Sequence, residues 1–429
     1  MSAPTGKARL ALAAALLTAL LAGLLASATP VRHLLATAEN TPARAPLAPP
    51  LFAEGYGQEA VDTLADWEAR RTALLAVFER EIYGAAPAEP AVTTLEVETL
   101  PAPDWVGTGV LELRRITITP ESADPIALTL AVVRPQGSVN GVFFIPADCG
   151  LRAALSDHRI DPPTDYRSSW CGPPESLGGD PGGLVGALFG KHILTPPLDR
   201  ILEAGYAAAL FHDGAIGPDE RDRFDAALLR LGVDSGAENR PGLISVWAWT
   251  LSAMIDAIED HPELGSAPVF AYGHSRRGKA ALLAAARDDR IALTLVHQSG
   301  TTGAAPHADA TGEPVASMVK SYPHWFTPRF SRYAGNEAAL SVNQHQLIAL
   351  LAPRALHLGG ANRDSWADPK GAETAARAAA PAWTLYGEDP GARVSSHLRP
   401  GTHGVTEEDW TAFLAAADRA TARQPPRRR

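Results

Sequence analysis

A hydroxyl, a carboxylate and an imidazole are enough for acyl transfer: the imidazole takes the hydroxyl's proton and the carboxylate orients the imidazole. Ser275 is the candidate hydroxyl, set in Gly273-His274-Ser275-Arg276-Arg277-Gly278-Lys279. A short apolar run, Val269 to Tyr272, precedes it, and an Ala/Leu-rich helical pattern follows. Strand, tight turn and helix push one side chain out above a sheet and aim the helix's first free N–H groups at whatever that side chain attacks. Gly273 spares the turn a side chain that would crowd it. The strict pattern with glycines two residues either side of the serine is not met, because Arg277 takes the second place and Gly278 comes one residue later. Read alone, the stretch fits an ordinary strand-to-helix turn with a serine N-cap equally well.

The partners come later in the chain. Asp364 ends Ala361-Asn362-Arg363-Asp364, and His403 lies in Arg399-Pro400-Gly401-Thr402-His403-Gly404. The order serine, aspartate, histidine is the one used by α/β-hydrolases. Asp368 is close enough to compete with Asp364, and His397 rivals His403 but lacks its flanking glycines. His274 points the wrong way along the turn to be the base and is expected to pack. The oxyanion hole is expected to use the backbone N–H of Arg276 and a second donor near Asp148 to Gly150, with the Arg276 guanidinium as a further candidate.

These residues need a scaffold. Asp62 to Tyr83 carries apolar residues at helical spacing and ends at Gly84. Val110 to Thr119 and Ile126 to Arg134 read as an antiparallel strand pair. Strands then alternate with helices: 141–146, 205–212, 269–272, 291–297, 355–360 and 382–387, with helices at 198–204, 246–258 and after Thr406. That alternation predicts an α/β fold, a mostly parallel central sheet flanked by helices in a three-layer sandwich, as one domain over residues 51–420. Counted from the antiparallel pair, Ser275 follows the fifth strand, Asp364 the seventh and His403 the eighth. Two long irregular stretches, 147–195 and 300–342, leave the C-terminal strand ends where open α/β sheets bind ligands.

The chain has 429 residues, 46% of them hydrophobic, which is enough for one large core. A net charge of −10 without a basic stripe excludes a nucleic-acid partner. Lys7, Arg9, the Ala/Leu run from Leu10 and Ala26-Ser27-Ala28 read as an export signal over residues 1–28, so a periplasmic or secreted enzyme is expected; an uncleaved inner-membrane anchor is the rival. Residues 29–50 read as an Ala/Pro-rich linker and 421–429 as a basic tail. Cys149 and Cys171 are a disulfide or two buried thiols, and are too few for a structural zinc site. There is no repeat or second domain, and a monomer is expected.

The glycine–x–serine–arginine–x–glycine–lysine stretch at Gly273 to Lys279 resembles the signature of the glucuronoyl esterases, carbohydrate esterase family fifteen, in its bacterial branch. The resemblance continues at Pro323-His324-Trp325-Phe326, Asp364-Ser365-Trp366-Ala367-Asp368-Pro369 and Gly401-Thr402-His403-Gly404. It implies a serine esterase that splits the ester between a 4-O-methyl-glucuronic acid branch of xylan and a lignin alcohol, with no metal or cofactor. By that resemblance Ser275 attacks the carbonyl, His403 moves the proton and Arg276 stabilises the oxyanion. Lys279, Trp366 and Glu313 would bind the sugar. Some members carry an acid where this chain has Gln298, which leaves that role to Asp364; His307 and Asp309 stand where paired arginines are usual, so this wall of the pocket is expected to alter substrate preference. An acetyl-xylan or general carboxylesterase would keep the triad without needing Lys279 and Trp366 near the serine. A carbohydrate-binding pseudoenzyme is disfavoured by the intact Ser275, Asp364 and His403.

Overall fold

The structure, a computed structural model, describes residues 47–48, 51–53, 59–121, 123–160, 189–308 and 311–422. The expected leader, nearly all of the linker, the basic tail from 423, Cys171 and Asp309 lie outside these residues. No cysteine among the described residues is free. Among the described residues no helix is long and apolar enough to cross a membrane.

Nine strands form one sheet: β1 Ala91–Pro101, β2 Val110–Thr119, β3 Ile126–Arg134, β4 Val142–Pro146, β5 Ala207–Phe211, β6 Val269–His274, β7 Ile291–His297, β8 Ala355–Ala361 and β9 Val394–Arg399. Their order across the sheet is β1-β2-β3-β5-β4-β6-β7-β8-β9. The first three strands are antiparallel, β3 meets β5 antiparallel, and from β5 to β9 every pairing is parallel. The helices that matter here are α1 Leu64–Phe78, α2 Leu198–Glu203, α3 Leu243–Asp256, α4 Arg276–Arg287, α5 Pro369–Ala379 and α6 Glu407–Thr421.

Strand residues alternate between two cores because successive side chains leave opposite faces of a strand. On β4, Val142 and Phe144 join the core beneath α1, α3, α4 and α5. Phe143 and Ile145 join the core beneath α2 and α6, with Trp410 and Phe413. This is the expected three-layer sandwich. Helix α1 starts at a capping box between Thr63 and Asp66 and runs on through a π-helical turn, Glu79–Tyr83, to Gly84.

Two expectations need correction. Residues 382–387 are not a strand: Pro381 opens a short helix, Pro381–Leu385, whose Trp383 is buried and donates its indole N–H to the Arg354 carbonyl at 2.9 Å. The final strand is β9, further along. Strand β1 was not expected at all. Both errors sit at the sheet's edges, and neither moves Ser275, Asp364 or His403 from the C-terminal end of a parallel strand.

Candidate active site

Ser275 has φ +55° and ψ −127°, a conformation that a non-glycine residue holds only where its surroundings impose it. They do so here: its N–H donates to the His297 carbonyl at 2.8 Å, and its carbonyl accepts from Gly278 N–H at 2.9 Å as α4 begins. A Cβ on Gly273 would lie 2.1 Å from the Arg277 carbonyl oxygen. Gly278 is needed one residue beyond the usual place because a Cβ there would press on Ser299 at 2.9 Å.

His403 and Ser275 face one cleft of about 830 Å³ at the C-terminal ends of the parallel strands. His403 donates from Nδ1 to Asp364 Oδ2 at 2.7 Å, and Asp364 is buried. That bond leaves Nε2 as the basic nitrogen. The rivals are occupied elsewhere. Asp368 accepts from Gly371 N–H at 3.0 Å as the N-cap of α5. His397 donates to Asp409 at 2.8 Å, behind the cleft.

Arg276 opens α4, so its backbone N–H has no carbonyl four residues earlier to donate to. Its guanidinium, however, is paired with Asp219 and lies 5.0 Å from the Trp325 ring centroid. Asp219 also accepts from His324 at 2.9 Å and Trp325 at 2.6 Å. Burial alone would raise the Asp219 carboxyl, but these hydrogen bonds and the Arg276 charge hold it well below the carboxylate range. The arginine therefore stands at the cleft wall with its guanidinium held in place. Arg277, stacked 4.4 Å from the Trp247 ring centroid, bridges Asp213 at 2.7 Å and Asp148. It thereby ties the loop after β4, the expected source of a second oxyanion donor, to the start of α4.

Lys279, Glu313 and Trp366 meet on the same cleft. Lys279 is buried and donates to the Thr301 carbonyl. Burial pushes its ammonium down to about 8 against the pull of Glu313. Burial likewise raises the Glu313 carboxyl, with Lys279 opposing. Glu313 N–H donates to the Trp366 carbonyl at 3.0 Å, and Trp366 hydrogen-bonds back to the carboxylate. An ammonium, a carboxylate and an indole on one wall match the mixed donors, acceptors and apolar face of a sugar ring.

Sequence reasoning missed the residues that hold these groups. Gln298 accepts from Gly404 N–H at 2.8 Å and donates to the Thr402 carbonyl at 3.3 Å, gripping the loop on both sides of His403. His307 does not line the cleft: it is buried, and its N–H donates to Asn343 at 3.2 Å, so it does not set the pocket wall as expected. The arginine in the glycine position, Arg277, was the one signal that could have pointed to the loop it ties.

A family model described as "Glucuronyl esterase, fungi" matches residues 202–387. A carbohydrate esterase from an unknown prokaryotic organism is 35% identical over 237 residues, which is 52% of this chain and 55% of that protein. The 4-O-methyl-glucuronoyl methylesterase of Schizophyllum commune is 38% identical over 138 residues, 30% of this chain and 35% of that protein. The chain thus spans about half the length, or less, of these curated relatives. A solved structure described as a promiscuous esterase of carbohydrate esterase family fifteen, from a marine bacterial metagenome, aligns with a TM-score of 0.76 at 27% identity, covering 89% of this chain and 98% of that one. Sequence likeness through the half of the sheet that carries Ser275, and likeness of fold over most of the chain, converge: this chain is similar in sequence and in fold to the glucuronoyl esterases of carbohydrate esterase family fifteen.

Proposed function

We propose that the chain is a serine esterase cleaving esters of (4-O-methyl-)glucuronic acid, as in the links between glucuronoxylan and lignin alcohols. The observation that carries the reading is the shared cleft: Ser275 and the Asp364-paired His403 line it together with Lys279, Glu313 and Trp366. His403 Nε2 takes the Ser275 proton as Oγ attacks the ester carbonyl. The Arg276 N–H, the positive end of α4 and the held guanidinium face the oxygen where negative charge develops. His403 then returns the proton to the departing alcohol, and water releases the acyl group by the same route. Lys279 and Glu313 bind the sugar hydroxyls.

The test compares hydrolysis of benzyl glucuronate with that of an acetyl ester of similar leaving group. Ser275→Ala should lower kcat by about 10⁴-fold or more for both esters. Lys279→Ala should raise KM for the uronate ester by about 10- to 100-fold, the worth of a charged hydrogen bond, and leave the acetyl ester little changed. The likeness to a solved structure described as a promiscuous esterase supports a broader carboxylesterase as the second reading. Equal or better turnover of the acetyl ester by the unaltered enzyme would favour it and sink the uronate assignment.

A further inference from the structure

Four strand ends place a row of imidazoles behind the cleft. His274 pairs in register with His297, His297 with Gly359, and Gly359 with His397, across β6, β7, β8 and β9. A Cβ on Gly359 would lie 2.5 Å from the His297 ring and 2.9 Å from the His397 ring, so glycine there is what lets both rings in. They converge on Asp409, which is fully buried on α6. Asp409 Oδ2 accepts from Arg399 Nε at 2.7 Å and from Thr406 N–H at 2.7 Å. Its Oδ1 lies 2.8 Å from His397 Nε2 and 3.2 Å from His297 Nε2.

Burial alone would raise the Asp409 carboxyl, but His297, His397 and Arg399 hold it far below the carboxylate range. It is an anion with no proton to give. Both Nε2 atoms therefore carry hydrogen. His297 Nε2 lies off the line of a good hydrogen bond, yet it has no other partner, and a bare lone pair there would face an anion. Burial holds His297 below the imidazole range against the pull of Asp409, so it is neutral, and a neutral ring protonated at Nε2 has a bare Nδ1. That atom is 3.1 Å from His274 Nδ1, which must then be the donor. His274 is left with a bare Nε2. The His274 ring lines the cleft together with His403, and the two ring centroids are 4.6 Å apart.

Other charged and titratable groups surround this ring. Arg399 stands on β9, and Asp148, Arg277 and His192 line a small cavity against its other side. Burial first, then His403 and His297, hold His274 well below the imidazole range, so it stays neutral.

We propose that the Asp409–His297–His274 chain is a positioning device for the general base: it fixes a neutral His274 with its unprotonated nitrogen toward His403, where positive charge develops. A lone pair there favours the His403 imidazolium; an N–H would oppose it. The inference rests on His403 being the base of the proposed esterase.

Imidazole ¹⁵N spectra of the full chain, with His274 assigned through its loss in His274→Asn, read the tautomer directly. The expected form is protonated at Nδ1 and bare at Nε2. His297→Phe removes the acceptor while filling most of the ring's space. It should lower kcat on benzyl glucuronate about tenfold with KM unchanged, and move the acid limb of kcat/KM to lower pH. His357→Phe is the control, because His357 joins the network beyond Asp409, 2.8 Å from His397 Nδ1. It should leave the His274 signal, kcat and the acid limb as they are. A His274 protonated at Nε2 in the unaltered enzyme overturns the proposal, even if His297→Phe fails to fold. So does equal loss in the two Phe variants, or no loss in His297→Phe. Activity that survives Ser275→Ala would instead strike the esterase reading itself, and the tautomer would then carry no catalytic meaning.

Discussion

Lys279 carries the site's clearest pH signature. Its ammonium is charged below about 8 and neutral above, because burial outweighs the attraction of Glu313. A charged donor holds a sugar hydroxyl more strongly than a neutral amine does. KM for a uronate ester should therefore rise as pH passes through about 8, while KM for an acetyl ester stays flat. Steady-state kinetics on both esters check this; parallel curves would remove Lys279 from sugar binding. The stability sign follows from the same shift. In the unfolded chain this lysine keeps its proton up to about 10.5, so between about 8 and 10.5 the unfolded state binds more protons, and this group adds stability as pH rises. Ser275, Asp364 and His403 were legible as residues because each sits at a strand end in a fixed chain order. Asp219 was not: it reaches Arg276 across 57 positions and His324 across 105, and no local pattern marks such partners. Gln298 was legible only as a missing acid. Its work comes from an amide's ability to accept and donate at once, and only the fold shows that its two backbone partners flank His403.

At the level of elements, the turn between β6 and α4 is the least forgiving. Gly273→Ala would drive a methyl group into the Arg277 carbonyl, 2.1 Å from the new carbon, and backbone cannot yield as a side-chain tip does. The expected outcome is a loss of stability of order 3 kcal/mol and a sharp loss of kcat, since Ser275 and the Arg276 N–H move with the turn. Denaturant unfolding and kinetics on the same preparation check it; unchanged stability would mean that the elbow is looser than its contacts. The buried strands β4 to β8 were legible as apolar runs between turn signals. The edge strands were not. β1 exposes most of its residues, and its Thr- and Glu-rich sequence carries no strong alternation. β9 has three polar residues in succession, Ser395, Ser396 and His397, because one face meets solvent and the other meets the histidine row. The apolar run 382–387 drew the strand assignment instead, although Pro381 at its head favours a helix start.

For the molecule as a whole, the fold class was written in the alternation of strands and helices, and the cleft in the long loops that leave the strand ends. What composition and spacing leave open is whether the buried His297, His397 and Asp409 hold a metal, since their ligand atoms lie within 4.8 Å of one another. The distances argue for hydrogen bonds. Two ligands held about 2.0–2.1 Å from a tetrahedral zinc ion lie roughly 3.3 Å apart. His397 Nε2 and Asp409 Oδ1 are 2.8 Å apart, the spacing of an N–H donating straight to a carboxylate. The charge is also balanced: Arg399 already answers the Asp409 carboxylate at 2.7 Å, and a divalent ion beside that guanidinium would add unneutralised charge to a dry interior. Prolonged incubation with a chelator, followed by removal of chelator and metal, should therefore leave both Tm and ester hydrolysis unchanged. A drop in Tm that zinc restores would turn the row of histidines into a metal centre. The proton assignments along His297 and His274 would then have to be drawn again from the ion outward.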